Sequence, residues 1–565
     1  MVSRTACGLK ALGFTAGDRV TILSSNCPEW VWADLAAMCL GGGGAGIYPN
    51  DLPDQVEYVN EHSEARVAFV DTVEQLAKTD GFRSRLDSLQ KVVVFHASDA
   101  ELPDDPKVIS FEAFLEGGKS LYETEPGAIE GEARAISMDT VCMMVYTSGT
   151  TGRPKGATYD HANLAFEGEL LARELGGDDN VSISFLPLCH IAERLQGEIV
   201  AIQCGNAVWF AESIDRLKDN LLEVRPTILL CVPRLWEKFY AGIRAGFGEA
   251  TGVKKVLVDR TMAVGARVCE LRNRGGEPRG LLAAEWGLLE KLVVSKLKGK
   301  LGLDRCTAFI SGAAPLAGEI SAFFGALGID IRETYGQTES VGVISVNPEF
   351  GVRPGTVGKP LEGSEVRIGD QGEILARGPH VFRGYHKNER ATQETVDPDG
   401  WLHTGDVGEF TEEGYIRITD RLKDIIVTAG GKNVAPQNIE NKLKLHPGIS
   451  QVVVIGDKRP YLVALVTLDE TATEAFCGSL GIPHAPIADL AESTEVHARI
   501  QEYIDTENAT VARYETIKYF QVLPRDLTVE AEEVTPTLKV KRRVVQVAYA
   551  DRIESMYAGG SPASS

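Results

Sequence analysis

Short apolar runs alternate with longer stretches of helical period through most of the 565 residues. Residues 18–23, 65–70, 92–95, 141–145, 181–185 and 228–232 read as buried strands, and 29–40 as a helix. This alternation predicts α/β layers built on mostly parallel sheets. After a charged helical stretch at 291–300 the pattern restarts. From Ile416 the character changes again. A dense polar segment, Asp420-Arg421-Leu422-Lys423-Asp424, is followed by apolar runs at 451–455 and 461–468 and a helical stretch at 496–504. The reading is a large layered α/β unit over 1–419, a linker at 420–424 and a compact α+β unit over 425–557, the last of ordinary domain size. Residues 558–565 are small and polar and are expected to be a disordered tail. No internal repeat is present.

The run Gly41-Gly42-Gly43-Gly44-Ala45-Gly46 formally contains G-x-G-x-x-G. A dinucleotide-binding turn needs a strand before it and a helix after it. Here the order is reversed, with the helix before and a strand at 46–48 after. The glycines therefore read as a helix stop.

A formal net charge of -22 argues against a nucleic-acid protein, which neutralises phosphates with a basic face. It also means that an anionic substrate must be held by local positive sites. The ten cysteines are scattered singly, with no C-x-x-C, so neither a disulfide framework nor a zinc site is expected, and a reducing cytoplasm fits. The N-terminus lacks a signal-peptide pattern. No apolar run approaches the roughly 20 residues that span a bilayer. Contact with a membrane would therefore be peripheral, and a homodimer stays open.

The chemistry concentrates after the apolar run 141–145. There the chain reads Tyr146-Thr147-Ser148-Gly149-Thr150-Thr151-Gly152-Arg153-Pro154-Lys155-Gly156. Hydroxyls and backbone N–H groups can donate to phosphate oxygens, and glycine lets the backbone come close. The spacing is not that of a Walker loop, because no Gly-Lys-Ser/Thr follows. T-S-G-T-T-G-x-P-K-G resembles the phosphate loop of the adenylate-forming enzymes, which include acyl-CoA synthetases, luciferases and peptide-synthetase adenylation domains. Further segments resemble that family in its order: Ser311-Gly312-Ala313-Ala314-Pro315, Glu333-Thr334-Tyr335-Gly336-Gln337-Thr338-Glu339, Trp401-Leu402-His403-Thr404-Gly405-Asp406, the 420–424 segment with Gly430-Gly431 behind it, and Thr535-Pro536-Thr537-Leu538-Lys539.

The resemblance implies a nucleotide site for ATP made by Thr147, Ser148, Gly149, Thr150, Thr151, Gly152, Lys155, Gly312, Ala313, Glu333, Thr334, Tyr335, Gly336, Asp406 and Arg421. Tyr335 would face adenine, with a core tyrosine whose hydroxyl is satisfied as the alternative reading of that residue alone. Asp406, alone a turn aspartate, would hold the ribose with Arg421. Thr338 would donate to the α-phosphate, and Glu339 with Thr147 would offer oxygen ligands to Mg²⁺. Lys539 would be the catalytic lysine of adenylate formation, a cation where carboxylate and α-phosphate meet. By composition alone, Lys539 belongs to a basic face with Lys541, Arg542 and Arg543. Lys423 would be the hinge about which the C-terminal unit turns, and Gly430 and Gly431 would then shape a tunnel for coenzyme A.

The segments Leu186-Pro187-Leu188-Cys189-His190-Ile191-Ala192-Glu193-Arg194 and Val232-Pro233-Arg234-Leu235-Trp236 resemble the long-chain fatty acyl-CoA synthetase branch. His190 would orient the acid's carboxylate or stand as a structural histidine. Trp236 would line the acyl pocket or fill the core. Members of this branch carry several tens of residues ahead of the segment matching Thr5 to Gly13, so part of the N-terminal unit is expected to be unpaired. The expected function is a long-chain fatty acid–CoA ligase using ATP, Mg²⁺ and coenzyme A. An acyl-AMP ligase serving a carrier protein is the alternative enzyme, and a non-catalytic nucleotide- or lipid-binding protein is the alternative of another class.

Overall fold

The computed structural model describes residues 1–125, 127–147, 153–175, 180–446, 448–470, 472–535 and 539–558. An eight-stranded sheet organises the N-terminal part. Six of its strands run parallel in the order Val141–Thr147, Gly43–Ile47, Arg19–Leu23, Ala65–Val70, Lys91–Val94 and Val108–Ser110. Lys155–Asp160 adds an antiparallel strand beside Val141–Thr147, and Gly384–Tyr385 runs antiparallel beside Lys155–Asp160 at the sheet's edge. A second sheet carries the parallel strands Ile228–Cys231, Ala308–Ser311 and Ile331–Tyr335. The expected strands are present, and the parallel centre follows from their buried, β-branched sequences.

The sequence reading missed a four-stranded antiparallel sheet of Glu365–Ile368, Glu373–Arg377, Leu402–Phe410 and Ile416–Arg421. Glu365–Ile368 alternates exposed and half-buried positions, and Leu402–Phe410 alternates buried with more exposed ones. Strands wet on one face carry polar residues at every second position and do not stand out as apolar runs.

Beyond Ile425 the chain builds cores of its own. Ile439, Val454, Leu462, Ile500 and Ile517 belong to one cluster, and Val453, Val463, Leu527, Val545 and Met556 to another. They sandwich a three-stranded sheet, Ile449–Ile455, Leu462–Leu468 and Ile517–Val522. Of the expected tail, all but Ala558 lies outside the described residues. The first helix, Val2–Ala11, is buried through Thr5, Ala6, Cys7, Gly8 and Leu9. No helix of the described residues is long and apolar enough to cross a membrane, and all ten cysteines are free thiols.

The glycine run ends the helix Pro28–Cys39 as expected, with Gly41 at φ +71°. The glycines that follow have a different cause. Gly43–Ile47 is a fully buried strand, and a Cβ on Gly44 would overlap the Asp34 carboxylate and sit 3.2 Å from the Arg194 guanidinium. Arg194 and Asp34 are both 0% exposed. Arg194 Nε donates to Asp34 Oδ2 at 2.8 Å, and its Nη2 donates to the other oxygen. Further donation reaches the carbonyls of Met144 at 3.3 Å and Gly44 at 3.2 Å, while the guanidinium lies 5.1 Å from the Trp30 ring centre. One side chain thus ties the helix Pro28–Cys39 and two central strands to the segment after His190.

Breaking such a pair leaves a buried charge without its partner. Arg194→Ala is expected to destabilise the protein by about 3–5 kcal/mol, measured by urea unfolding, with a much smaller loss for a substitution at the exposed Arg390.

Candidate active site

The strand Val141–Thr147 returns as Lys155–Asp160, with Thr147 paired opposite Lys155. The connecting residues Ser148, Gly149, Thr150, Thr151 and Gly152 lie outside the described residues. Gly384–Tyr385 extends this ribbon, Tyr385 pairing with Ala157. Lys155 Nζ sits 4.7 Å from the Tyr385 ring centre, and the Tyr385 hydroxyl donates to Glu339 Oε1. The Tyr159 hydroxyl donates to the Thr338 carbonyl at 2.9 Å, pinning the single turn Thr338–Ser340 over the ribbon. Tyr385 thereby touches both Lys155, over its ring, and Glu339, at its hydroxyl. Sequence reasoning did not single out this tyrosine, since only the sheet brings residue 385 to residue 339.

Across from the ribbon, Tyr335 is buried and its hydroxyl donates to Asp406 Oδ2 at 2.9 Å. Arg421 Nε donates to Asp406 Oδ1 at 3.1 Å, because Asp406 and Arg421 face each other in neighbouring strands. The Asp406 charge raises the Arg421 pKa further, so the guanidinium stays charged. Gly312 has little room for a side chain: a Cβ there would lie 2.6 Å from Thr334 Oγ1 in the adjoining strand. Ala313 follows with φ +69°, Thr334 donates to the Ser311 carbonyl at 3.3 Å, and Gly336 packs against Gly342. Glu333 is sealed beneath this loop, accepting from Leu316 N–H at 3.4 Å, and burial pushes its carboxyl up to about 8. It supports the loop from below.

His190 begins the helix Ile191–Arg194, where its Nδ1 accepts from Ala192 N–H at 3.3 Å. That bond assigns the proton to Nε2. Burial first, and the Lys539 charge second, hold the imidazole down at about 4, so it is neutral at pH 7 and offers an Nε2–H donor. Glu193 stands beside it, pushed up to about 8 by burial and held by the Ser184 hydroxyl. Trp236 does not line an opening. It is 0% exposed, its rings pack edge-on against Phe239, Phe309 and Phe324, and its N–H donates to the Ile310 carbonyl at 3.4 Å. The expectation of an acyl-pocket wall at Trp236 is corrected to a core position, since its large indole fills the space beneath the second sheet.

Lys539 comes from the far end of the chain. Its loop is closed by Thr535 N–H to the Lys539 carbonyl at 2.8 Å and by Lys539 N–H to Thr535 Oγ1 at 3.0 Å. Burial and then the Arg421 charge push its ammonium down to about 8, against the pull of Asp406 and Glu339. The lysine's charge thus lies within electrostatic reach of Asp406, Arg421, Glu339 and His190. Lys423 is exposed in a turn whose flanks are anchored, Leu422 N–H on the Gly405 carbonyl at 2.7 Å and Asp424 N–H on Arg421 at 2.9 Å. Gly430 and Gly431 form an exposed hairpin tip, with Gly431 N–H on the Thr428 carbonyl at 2.8 Å.

The profile of the AMP-binding enzyme matches residues 1–386, and that of the AMP-binding enzyme C-terminal domain matches residues 423–561. The chain belongs to the AMP-binding enzyme family. It is 35% identical over 561 residues to the long-chain-fatty-acid–CoA ligase FadD15 of Mycobacterium tuberculosis, covering 98% of this chain and 90% of that protein. It is 32% identical over 588 residues to the long-chain-fatty-acid–CoA ligase ACSBG2 of Xenopus laevis, with 98% and 78% covered. Among solved structures, the adenylation domain of a carboxylate reductase from Mycobacterium chelonae aligns with TM-score 0.70 at 22% identity over 99% of this chain and 83% of that one. The anthranilate CoA ligase AuaEII in complex with anthranoyl-AMP aligns with TM-score 0.71 at 21% identity, over 97% and 90%. At those identities the structural likeness concerns the fold of an AMP-binding enzyme.

One contact that holds the C-terminal part in place was not assigned from sequence. Arg234, at the start of the helix Pro233–Gly248, donates to Ser450 Oγ at 2.9 Å, to the Ser450 carbonyl at 3.3 Å and to Asp469 Oδ2 at 3.0 Å. A pair of charge-assisted bonds of this kind contributes about 1–3 kcal/mol. Arg234→Ala is expected to speed amide exchange and proteolysis at the 420–424 linker several-fold without lowering the unfolding temperature of the N-terminal part. Unchanged exchange would show that Arg234 does not restrain the C-terminal unit.

Proposed function

We propose that this AMP-binding enzyme is a long-chain fatty acid–CoA ligase, forming an acyl-adenylate from fatty acid and ATP and then a thioester with coenzyme A. The observation that carries the reading is that the buried Lys539 ammonium lies within electrostatic reach of Asp406, Arg421, Glu339 and His190, beside the Tyr335–Asp406–Arg421 hydrogen bonds. The kinship with fatty acid–CoA ligases over nearly the whole chain supports the acid and the thiol acceptor.

In the first half-reaction the fatty acid carboxylate approaches the α-phosphate, and two negative groups must come together. The Lys539 ammonium supplies the compensating charge at that point, and Thr338 a hydroxyl. The Nε2–H of neutral His190 orients the carboxylate without forming an ion pair that would hold the ground state too tightly. Asp406 grips the ribose, already aimed by Tyr335 and Arg421. The Glu339 carboxylate and the Thr147 hydroxyl are hard oxygen donors that suit Mg²⁺, which would neutralise phosphate charge when bound. For the second half-reaction the unit beyond Asp424 turns about Lys423, withdrawing Lys539 and bringing Gly430 and Gly431 toward the cleft. The exposed hairpin and the anchored flanks of Lys423 support that division into 1–419 and 425–557.

The test is to incubate the protein with ATP, Mg²⁺, coenzyme A and straight-chain acids from acetate to stearate, following acyl-AMP and acyl-CoA by mass spectrometry. Acyl-CoA that peaks with long chains is expected. Acyl-AMP without thioester would point to a carrier-protein acceptor instead. Lys539→Ala should lower adenylate formation by about 10²–10³-fold while thioester formation from supplied acyl-AMP stays within a few-fold. Equal loss of both half-reactions would overturn the role given to Lys539. The ammonium predominates below its pKa of about 8 and the neutral amine above. Adenylation, read as pyrophosphate exchange, should therefore hold below pH 8 and fall about tenfold per unit above it.

A further inference from the structure

The chain from Gly280 to Leu301 is one continuous helix with a widened turn over Glu290–Val294. Its inward side, Trp286, Leu289 and Val294, packs on Val264 and Val268 of the helix Gly252–Asn273. Leu297 and Leu301 then rest on the cluster round Trp236. The outward side of a surface helix is ordinarily polar. Here it is not: Leu281 is 90% exposed, Leu288 59% and Leu292 40%. Their spacing, seven and then four residues, puts all three on one face. The neighbouring helix adds exposed Val253 and Val256.

Charge sets this surface apart as well. Residues 252–301 hold eleven lysines and arginines against five acids, inside a chain whose net charge is -22. Lys291, Lys296 and Lys300 are exposed alongside the leucines and make no ion pair among the described residues. A helix at 1.5 Å per residue gives this element a length of about 33 Å, enough for a leucine stripe with basic flanks to lie flat at a bilayer's headgroup level.

We infer that the outward face of the helix Gly280–Leu301 is a docking surface for an anionic lipid bilayer. A second copy of the chain would set one excess of positive charge against another across a two-fold axis, whereas acidic headgroups complement it. The inference deepens the proposed ligase function, because long-chain acids reside in bilayers, and docking would bring the N-terminal unit to its substrate. Vesicle binding is read without turnover, so its failure and the failure of the ligase reading are separable.

The experiment is flotation of the full-length protein with vesicles of phosphatidylcholine alone and of phosphatidylcholine with 30 mol% phosphatidylglycerol. Binding to the anionic vesicles, weakened by salt, is expected. Lys291→Gln/Lys296→Gln/Lys300→Gln should weaken it on the order of a hundredfold. Leu281→Glu/Leu288→Glu should abolish it, while Val547→Glu in the C-terminal unit leaves it intact. Turnover of an acid delivered from cyclodextrin should be unchanged in the leucine variant, and turnover of vesicle-borne acid should fall. Absence of binding to either vesicle, equal binding to both, or binding that survives Leu281→Glu/Leu288→Glu would overturn the inference. A wild-type dimer that the leucine variant dissociates, with no vesicle binding, would assign the face to a second copy instead.

Discussion

The buried pair between Arg194 and Asp34 is the constraint on which the rest of the structure leans. A guanidinium taken out of water is tolerated only where nearly all its donors are satisfied, and here they find a carboxylate and two strand carbonyls. Satisfying them requires the strand Gly43–Ile47 to carry no side chain at Gly44, and it requires Asp34 to project inward from its helix. The same arginine sits four residues after His190, and its N–H donates to the His190 carbonyl at 3.1 Å. The position of His190 in the cleft is thus inherited from an ion pair that never meets solvent.

The site itself is assembled from opposed charges, with Asp406 buried and the Arg421 guanidinium beside it half open to solvent. Asp406 and Glu339 hold a negative potential that Arg421 and Lys539 balance. Removing Lys539 by rotation would leave Asp406 with Arg421 and Tyr335 as partners and Glu339 with Tyr385, so neither carboxylate would be stranded. Each carboxylate thus has a partner of its own besides the lysine. Among the described contacts that hold the C-terminal unit, the ion pair of Arg234 with Asp469 at 3.0 Å is one of modest strength.

Legibility in the sequence followed solvent exposure. Buried strands such as Ile228–Cys231 show as unbroken apolar runs, whereas the wet antiparallel sheet over residues 365–421 alternates and stayed hidden. The motif glycines were visible, but their causes were not: Gly44 yields to Asp34 and Gly312 to Thr334, neighbours distant in the chain. Tyr385 carried no local signal, and Trp236, read as a channel wall or core, is core.

What the sequence determined by itself is the chemistry available and its order: the hydroxyl- and glycine-rich loop after a buried strand, the Asp406 and Glu339 carboxylates, Lys539 near the end, and a polar linker between two units. Side-chain type and spacing along the chain suffice for those, because they are local. Only the tertiary structure decided which groups face one another and in what state. Burial sets His190 neutral and Glu333 protonated, and cross-strand register puts Arg421 on Asp406. Those outcomes depend on desolvation and on contacts between residues far apart in the chain, which no one-dimensional pattern encodes.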